Sequence, residues 1–141
     1  MKANSLSQLC PSCKHPGKTV DLITVKSLLV ADALREVRKD ASYHFCSTKN
    51  CDVVYYSDQD FFSKSQVNVR VFQKEDKDPL MVCYCFCFSR EKIVKEIERT
   101  GKSTAVEEIS RYVSEGKCAC EIKNPQGTCC LANVAQVVKK I

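Results

Sequence analysis

The sulfur atoms of this chain come in short-spaced groups. Cys10 and Cys13 frame "CPSC", and Cys46 and Cys51 frame "CSTKNC". Cys83, Cys85 and Cys87 alternate through "VCYCFCF", and Cys118, Cys120, Cys129 and Cys130 crowd into "CACEIKNPQGTCC". Thiols at such spacing form disulfides, exchange electrons or bind soft metal ions. Eleven is an odd number, so complete pairing within one chain is excluded. The N-terminal "MKANSLSQLCPSC" lacks the apolar core of a secretory signal, so the expected address is the cytoplasm, where thiols stay reduced. Metal binding is the expected chemistry.

The first two groups suit one ion. A C-x₂-C knuckle turns two sulfurs to the same side, and a second knuckle supplies two more, which completes the closed four-sulfur set of a structural Zn²⁺. The expected ligands are Cys10, Cys13, Cys46 and Cys51. Pro11 presets a turn in the first knuckle, and Asn50 tolerates unusual backbone angles in the second. A thioredoxin-like redox pair would need a strand before the motif and a helix after it, and "KHPGKTVDLI" follows instead. His15 and His44 are expected beside the site and not as ligands, because four cysteines already close it.

The later groups suit something larger. A C-x-C pair holds its sulfurs too close in sequence to chelate one tetrahedral ion easily, whereas both can address neighbouring positions of an iron–sulfur cluster. Helix N-termini nearby would offer positive dipole ends to a net-negative cluster.

The surrounding patterns say what must position these sulfurs. "KTVDLITV", "SYHFC", "CDVVYYS" and "QVNVRVFQ" read as strands, and "SLLVADALREVRK" as a helix. The charged "QKEDKDPL", ending in Pro79, marks a boundary. Beyond it a helix capped by Ser89 places Ile93, Val94 and Ile97 on one face. A second has Thr104 and Glu107 at capping-box spacing, with Val106, Ile109, Tyr112 and Val113 inward and Gly116 as its stop. A third follows Cys130, with Val134, Val137 and Val138 inward. The expected fold is α+β: a small zinc-stapled unit over residues 1–78, then a helical unit over 79–141. Units this small need a metal staple.

Composition excludes several functions. The formal charge of +5 assumes neutral thiols, and two four-thiolate sites of about −2 each would leave the loaded protein near about +1. Basic and acidic residues interleave, as in "REKIVKEIER", so no basic stripe marks nucleic-acid binding. No apolar run approaches the ~20 residues of a membrane span. There is no phosphate loop, no Ser/His/Asp motif and only two histidines, so a turnover enzyme is not expected.

"VCYCF", a helix-rich stretch and then "CACEIKNPQGTCCL" resemble the bacterioferritin-associated-ferredoxin-like [2Fe–2S] domain. Taken with "CPSC" and "YHFCSTKNCDVVYY", nearly the whole chain resembles the N-terminal domain of CopZ-type copper chaperones. That resemblance implies a mononuclear zinc on Cys10, Cys13, Cys46 and Cys51, and a [2Fe–2S] cluster whose first pair is Cys83 and Cys85. By the family's framing the second pair is Cys120 and Cys130, with Cys118 and Cys129 as the alternatives. It also implies reduction of Cu(II) to Cu(I), copper ions as cargo, an electron donor of unspecified identity, and a copper-transporting ATPase or a fused copper-binding domain as partner. Such chaperones also carry a Met-x-Cys-x-x-Cys copper-binding domain, which the residues up to Ile141 do not include. The expectation is therefore either a module that acts alone or a fragment of a longer chaperone. Without copper preference, the same cluster would serve as a generic ferredoxin-like electron carrier. Cys87 reads equally as a spare thiol that meets incoming metal or as a buried structural residue.

Overall fold

The computed structural model describes residues 9–75 and 80–140. The α+β expectation holds, with a four-stranded antiparallel sheet in the first half and helices in the second. Strands β1 (Lys18–Val20), β2 (Tyr43–Phe45), β3 (Val53–Tyr56) and β4 (Phe61–Ser63) lie side by side in chain order. Every residue of β2 and β3 is buried, because both sheet faces are covered. On one face Tyr43, Phe45, Tyr55 and Phe62 pack with Val25, Leu28 and Ala33 of helices α1 (Leu22–Leu28) and α2 (Ala31–Leu34). On the other, Val53 and Tyr56 pack against Cys10, Cys46 and Cys51.

Three expected elements are corrected here. "KTVDLITV" is not one strand: pairing stops at Val20, and Leu22 onward is helical because α1 buries Thr24, Val25 and Leu28. The single helix expected from "SLLVADALREVRK" is interrupted at Leu29 and Val30, which are extended. Their neighbourhood bonds to another segment instead, with Val30 N–H donating to Gln66 O (2.9 Å) and Asn68 N–H to Leu28 O (2.8 Å). "QVNVRVFQ" alternates but forms only an isolated bridge, Val67 to Leu29. Val67 and Val71 enter the first core, and a 3₁₀ turn, Phe72–Lys74, then carries Phe72 into a second one.

That second core belongs to the other half. A short hairpin, β5 (Met81–Cys83) and β6 (Phe88–Ser89), leads into α3 (Arg90–Thr100), α4 (Ala105–Ser114), α5 (Cys120–Lys123) and α6 (Leu131–Lys140). Ile93, Ile109, Val134, Val137, Val82 and Phe88 fill it, and Val138 lies against it partly buried. Ser89 caps α3 as expected, its hydroxyl accepting from Lys92 N–H at 3.0 Å. Thr104 does not form the expected capping box. Its N–H and hydroxyl reach Glu96 of α3 (3.0 and 2.6 Å), so they tie two helices together. Beyond α4 the chain reverses at Gly116, whose φ of 73° is the left-handed stop.

The halves meet along α1 and α5. Thr24 donates its hydroxyl to Glu121 O, and Tyr55 donates to Pro125 O. The expected boundary at Pro79 lies outside the described residues, but Lys74, which falls in the charged stretch before it, is buried. Among the described residues no helix is long and apolar enough to cross a membrane.

Candidate metal centres

The first knuckle is closed by its own backbone. Cys10 N–H donates to His15 O and Lys14 N–H to Cys10 O, both at 2.9 Å, and Leu9 bridges Pro16. The left-handed residue is Lys14 (φ 64°), which ends the tight turn. Gly17 follows because nothing larger fits: a Cβ there would stand 2.4 Å from Phe45 O and 2.6 Å from Tyr56 Oη. Its N–H donates to that hydroxyl at 2.8 Å, which hooks the knuckle onto β3. The second knuckle joins β2 to β3, with Cys46 N–H on Val54 O (2.8 Å) and Cys51 N–H on Thr48 O (3.2 Å).

These turns bring Cys10, Cys13, Cys46 and Cys51 together with all sulfurs within 4.8 Å of one another. Cys10 and Cys51 are 3.7 Å apart, as are Cys13 and Cys46. A tetrahedron of sulfurs about 2.3 Å from a central zinc has edges of about 3.8 Å. The donor set and its size fit Zn²⁺. Cys10, Cys46 and Cys51 are buried, and Cys13 is half-exposed. Burial pushes the Cys10 thiol up to about 12, and it likewise raises Cys46. At Cys13 burial acts the same way, but hydrogen bonds with Thr48 (3.3 Å) and His15 outweigh it and hold the thiol at about 5.

Neither histidine joins the quartet. His15 is exposed, whereas His44 is 6% exposed and stacked on Tyr56 at 5.4 Å. Burial lowers the His44 pKa, and Nδ1 has no hydrogen-bond partner among the described residues. The sequence did not reveal Lys74. Its ammonium donates to Thr48 O (2.8 Å) and Cys51 O (3.0 Å) and lies 3.5 Å from Cys46 Sγ. A lysine in a run of charges gives no signal of burial.

The second group gathers around the other core. Cys83 ends β5, Cys85 sits in the hairpin turn, Cys120 opens α5 and Cys130 precedes α6. Cys85 and Cys120 are 3.5 Å apart, and Ala119 N–H donates to Cys85 Sγ at 3.1 Å. Hydrogen bonds with Cys130 lower Cys83 to about 7 and Cys120 to about 6, while Cys130 itself is raised, first by those bonds and then by burial. Burial raises Cys85 to about 12. Cys85 and Cys120 are in contact, and Cys130 shares one apolar core with Cys120 and Cys83. Cys83, Cys120 and Cys130 are buried. The alternatives differ: Cys129 is exposed and Cys118 half-buried. Cys87 is exposed with φ 59°, which removes its structural-core reading.

A closed four-cysteine site hooked onto a small sheet defines a metal-binding protein of the structural-zinc class. Residues 7–68 match the CopZ family model described as a zinc binding domain. A relative, the copper chaperone CopZ of Archaeoglobus fulgidus, is 34% identical over 121 residues, covering 86% of this chain and 57% of the relative. The crystal structure of the Archaeoglobus fulgidus CopZ N-terminal domain superposes with a TM-score of 0.76 at 31% identity, covering 92% of this chain and 96% of that one. The chain belongs to the CopZ-type family, in the part that carries its zinc-binding domain, and zinc is its expected metal by family and by donor geometry. It spans little more than half the length of the curated relative that it matches.

Proposed function

We propose that the chain handles copper as a redox metallochaperone module and not as a turnover enzyme. Cys10, Cys13, Cys46 and Cys51 hold a structural zinc. Cys83, Cys85, Cys120 and Cys130 hold a [2Fe–2S] cluster. The division into a zinc unit over 1–78 and a cluster unit over 79–141 is supported by the two separate apolar cores. The single observation that carries the reading is the gathering of buried Cys83, Cys120 and Cys130 in one apolar core, with the half-buried Cys85 packed against it 3.5 Å from Cys120. Among the described residues only the first quartet gathers its sulfurs within 4.8 Å of one another. The second set therefore suits a dinuclear core better than one ion, and the exposed Cys129 is left aside.

When bound, such a cluster supplies one electron, enough to reduce one Cu(II) to Cu(I), the state that soft thiolates prefer. The protein's own part is to tune and shield. Ala119 N–H on Cys85 Sγ withdraws charge from a ligand, and Val82, Ile109 and Val134 exclude water from the cysteines. The copper chaperone relative supports copper as cargo. In this proposal a separate reductant restores the electron, and a copper-transporting ATPase or a fused copper-binding domain receives the ion. The expected site of action is the cytoplasm.

The test is an ultraviolet–visible spectrum of anaerobically purified protein, with iron, sulfide and zinc assayed on the same sample. The expected result is a red-brown protein with about two irons, two sulfides and one zinc per chain. Reduced protein should then re-oxidise as Cu(II) is added, one equivalent at a time. A colourless chain with two zincs and no sulfide, after reconstitution, would overturn the cluster, and a cluster indifferent to Cu(II) would leave a generic electron carrier.

A further inference from the structure

Lys74 is 4% exposed, and its ammonium is aimed into the second knuckle. A buried ammonium is costly unless countercharge meets it. Two backbone carbonyls satisfy two of its donors, and among the described residues no carboxylate pairs with it. The countercharge in reach is the cysteine quartet, beginning with Cys46 Sγ at 3.5 Å, and four thiolates around a divalent ion carry about −2.

The turn that holds Lys74 also faces the other half of the molecule. Phe72 packs into the second core, and its N–H donates at 3.0 Å to the hydroxyl of Tyr84, the residue between Cys83 and Cys85. Gln73 donates its side-chain amide to Gln126, in the loop between Cys120 and Cys130. Three consecutive residues therefore touch the surroundings of both quartets.

We infer that Lys74 is the positioning residue of the zinc site, and that its turn makes order around the second quartet depend on zinc. The inference rests on the metal assignments proposed above. With zinc bound, the thiolates hold the ammonium over Thr48 O and Cys51 O, and Phe72 is seated. With zinc removed, the knuckle that presents Thr48 O, Cys51 O and Cys46 Sγ is no longer pinned, and the ammonium loses its seat. It moves toward water, and the Phe72 N–H is drawn off the Tyr84 hydroxyl. Zinc occupancy is thereby reported to the neighbourhood of Cys83 and Cys85.

The experiment uses the full chain. Zinc affinity is measured by chelator competition for wild type, Lys74→Met and Lys74→Arg, and amide exchange at Phe72 is followed with and without zinc. Lys74→Met should weaken zinc about 10–100-fold, as loss of an outer partner of a metal site does, and Lys74→Arg should recover part of it. Stripping zinc from wild type should speed Phe72 exchange at least about tenfold, a reading that requires no variant to fold. Wild-type affinity in Lys74→Met, or Phe72 exchange unmoved by zinc removal, would overturn the inference while leaving the metal sites standing. A wild-type chain that takes up no zinc would overturn the zinc assignment itself.

Discussion

In the sheet half, four sulfurs converge from two knuckles, each closed within a few residues and fastened to β1, β2 and β3. In the helical half, the four arrive from a hairpin and from the starts of two helices, brought together by the packing of α3, α4 and α6. Local turns build the first site and tertiary structure builds the second. The apolar inventories agree: Cys10, Cys46 and Cys51 share a small cluster with Val53 and Tyr56, while Cys83, Cys120 and Cys130 are embedded among Ile93, Ile109, Val134 and Val137. A site that supplies much of its own core depends on its metal more than one lodged in a core already made.

The sharpest way to break this comparison is one ligand from each side. Cys51→Ser should abolish stable zinc binding and disorder the β1–β4 sheet, since structural zinc contributes on the order of 10–16 kcal/mol to small domains. Near-ultraviolet circular dichroism, which reports the buried Tyr43, Tyr55 and Tyr56, should collapse along with zinc content. Cys130→Ser should lose iron yet keep its helical signal, because Ile93, Ile109 and Val134 still pack. Equal collapse of both variants would end the distinction.

Acid should separate the ligands of the first site. Protons compete with zinc wherever a thiol remains protonated in the metal-free fold, so affinity must rise with pH. Cys10, pushed up to about 12, and Cys46, also raised, are protonated at neutrality, whereas Cys13 at about 5 is already ionised. Zinc affinity should therefore fall at least about a hundredfold per unit of pH between 8 and 6, steepening below about 5 as Cys13 also takes up a proton. A potentiometric zinc titration over that range checks the slope.

The smallest effect sharpens the other side. Ser89→Ala removes the hydroxyl that accepts from Lys92 N–H. It should lower stability by about 1 kcal/mol, read as a urea midpoint, with zinc affinity unchanged. A change in zinc binding would mean that the two halves are coupled through α3 as well as through Phe72.

How much was legible in the sequence follows the same division. The zinc quartet could be read from spacing, because its knuckles are local. The helices α3, α4 and α6 could be read from their periodicity and from Ser89 and Gly116. Elements decided by contact across the molecule could not. The β-branched "LITV" reads as strand, but it is helical where Thr24 and Val25 meet neighbouring elements. "QVNVRVFQ" has a strand's alternation, but its backbone is spent on Leu28 and Val30 and its Phe72 crosses to the other core. The β5–β6 hairpin and α5 carry cysteines where ordinary turn signals would stand. Choosing Cys120 and Cys130 over Cys118 and Cys129 rested on family likeness, because all four lie within one thirteen-residue stretch and spacing alone ranks none of them.

The seam between the halves acts on one particular stretch of chain. Thr24 and Tyr55 grip the carbonyls of Glu121 and Pro125, and Gly127 N–H closes the turn on Asn124 O at 2.8 Å. Glu121, Asn124, Pro125 and Gly127 all lie in the loop that separates Cys120 from Cys130. A free loop of that length loses closure entropy each time it wraps a metal. Here the sheet half holds it shut beforehand, so the entropy is lost during folding and would not be lost again on binding the proposed cluster. The first half of the chain thus serves as a mould for the second, and rapid assembly at the second quartet would depend on a sheet that contributes no ligand to it.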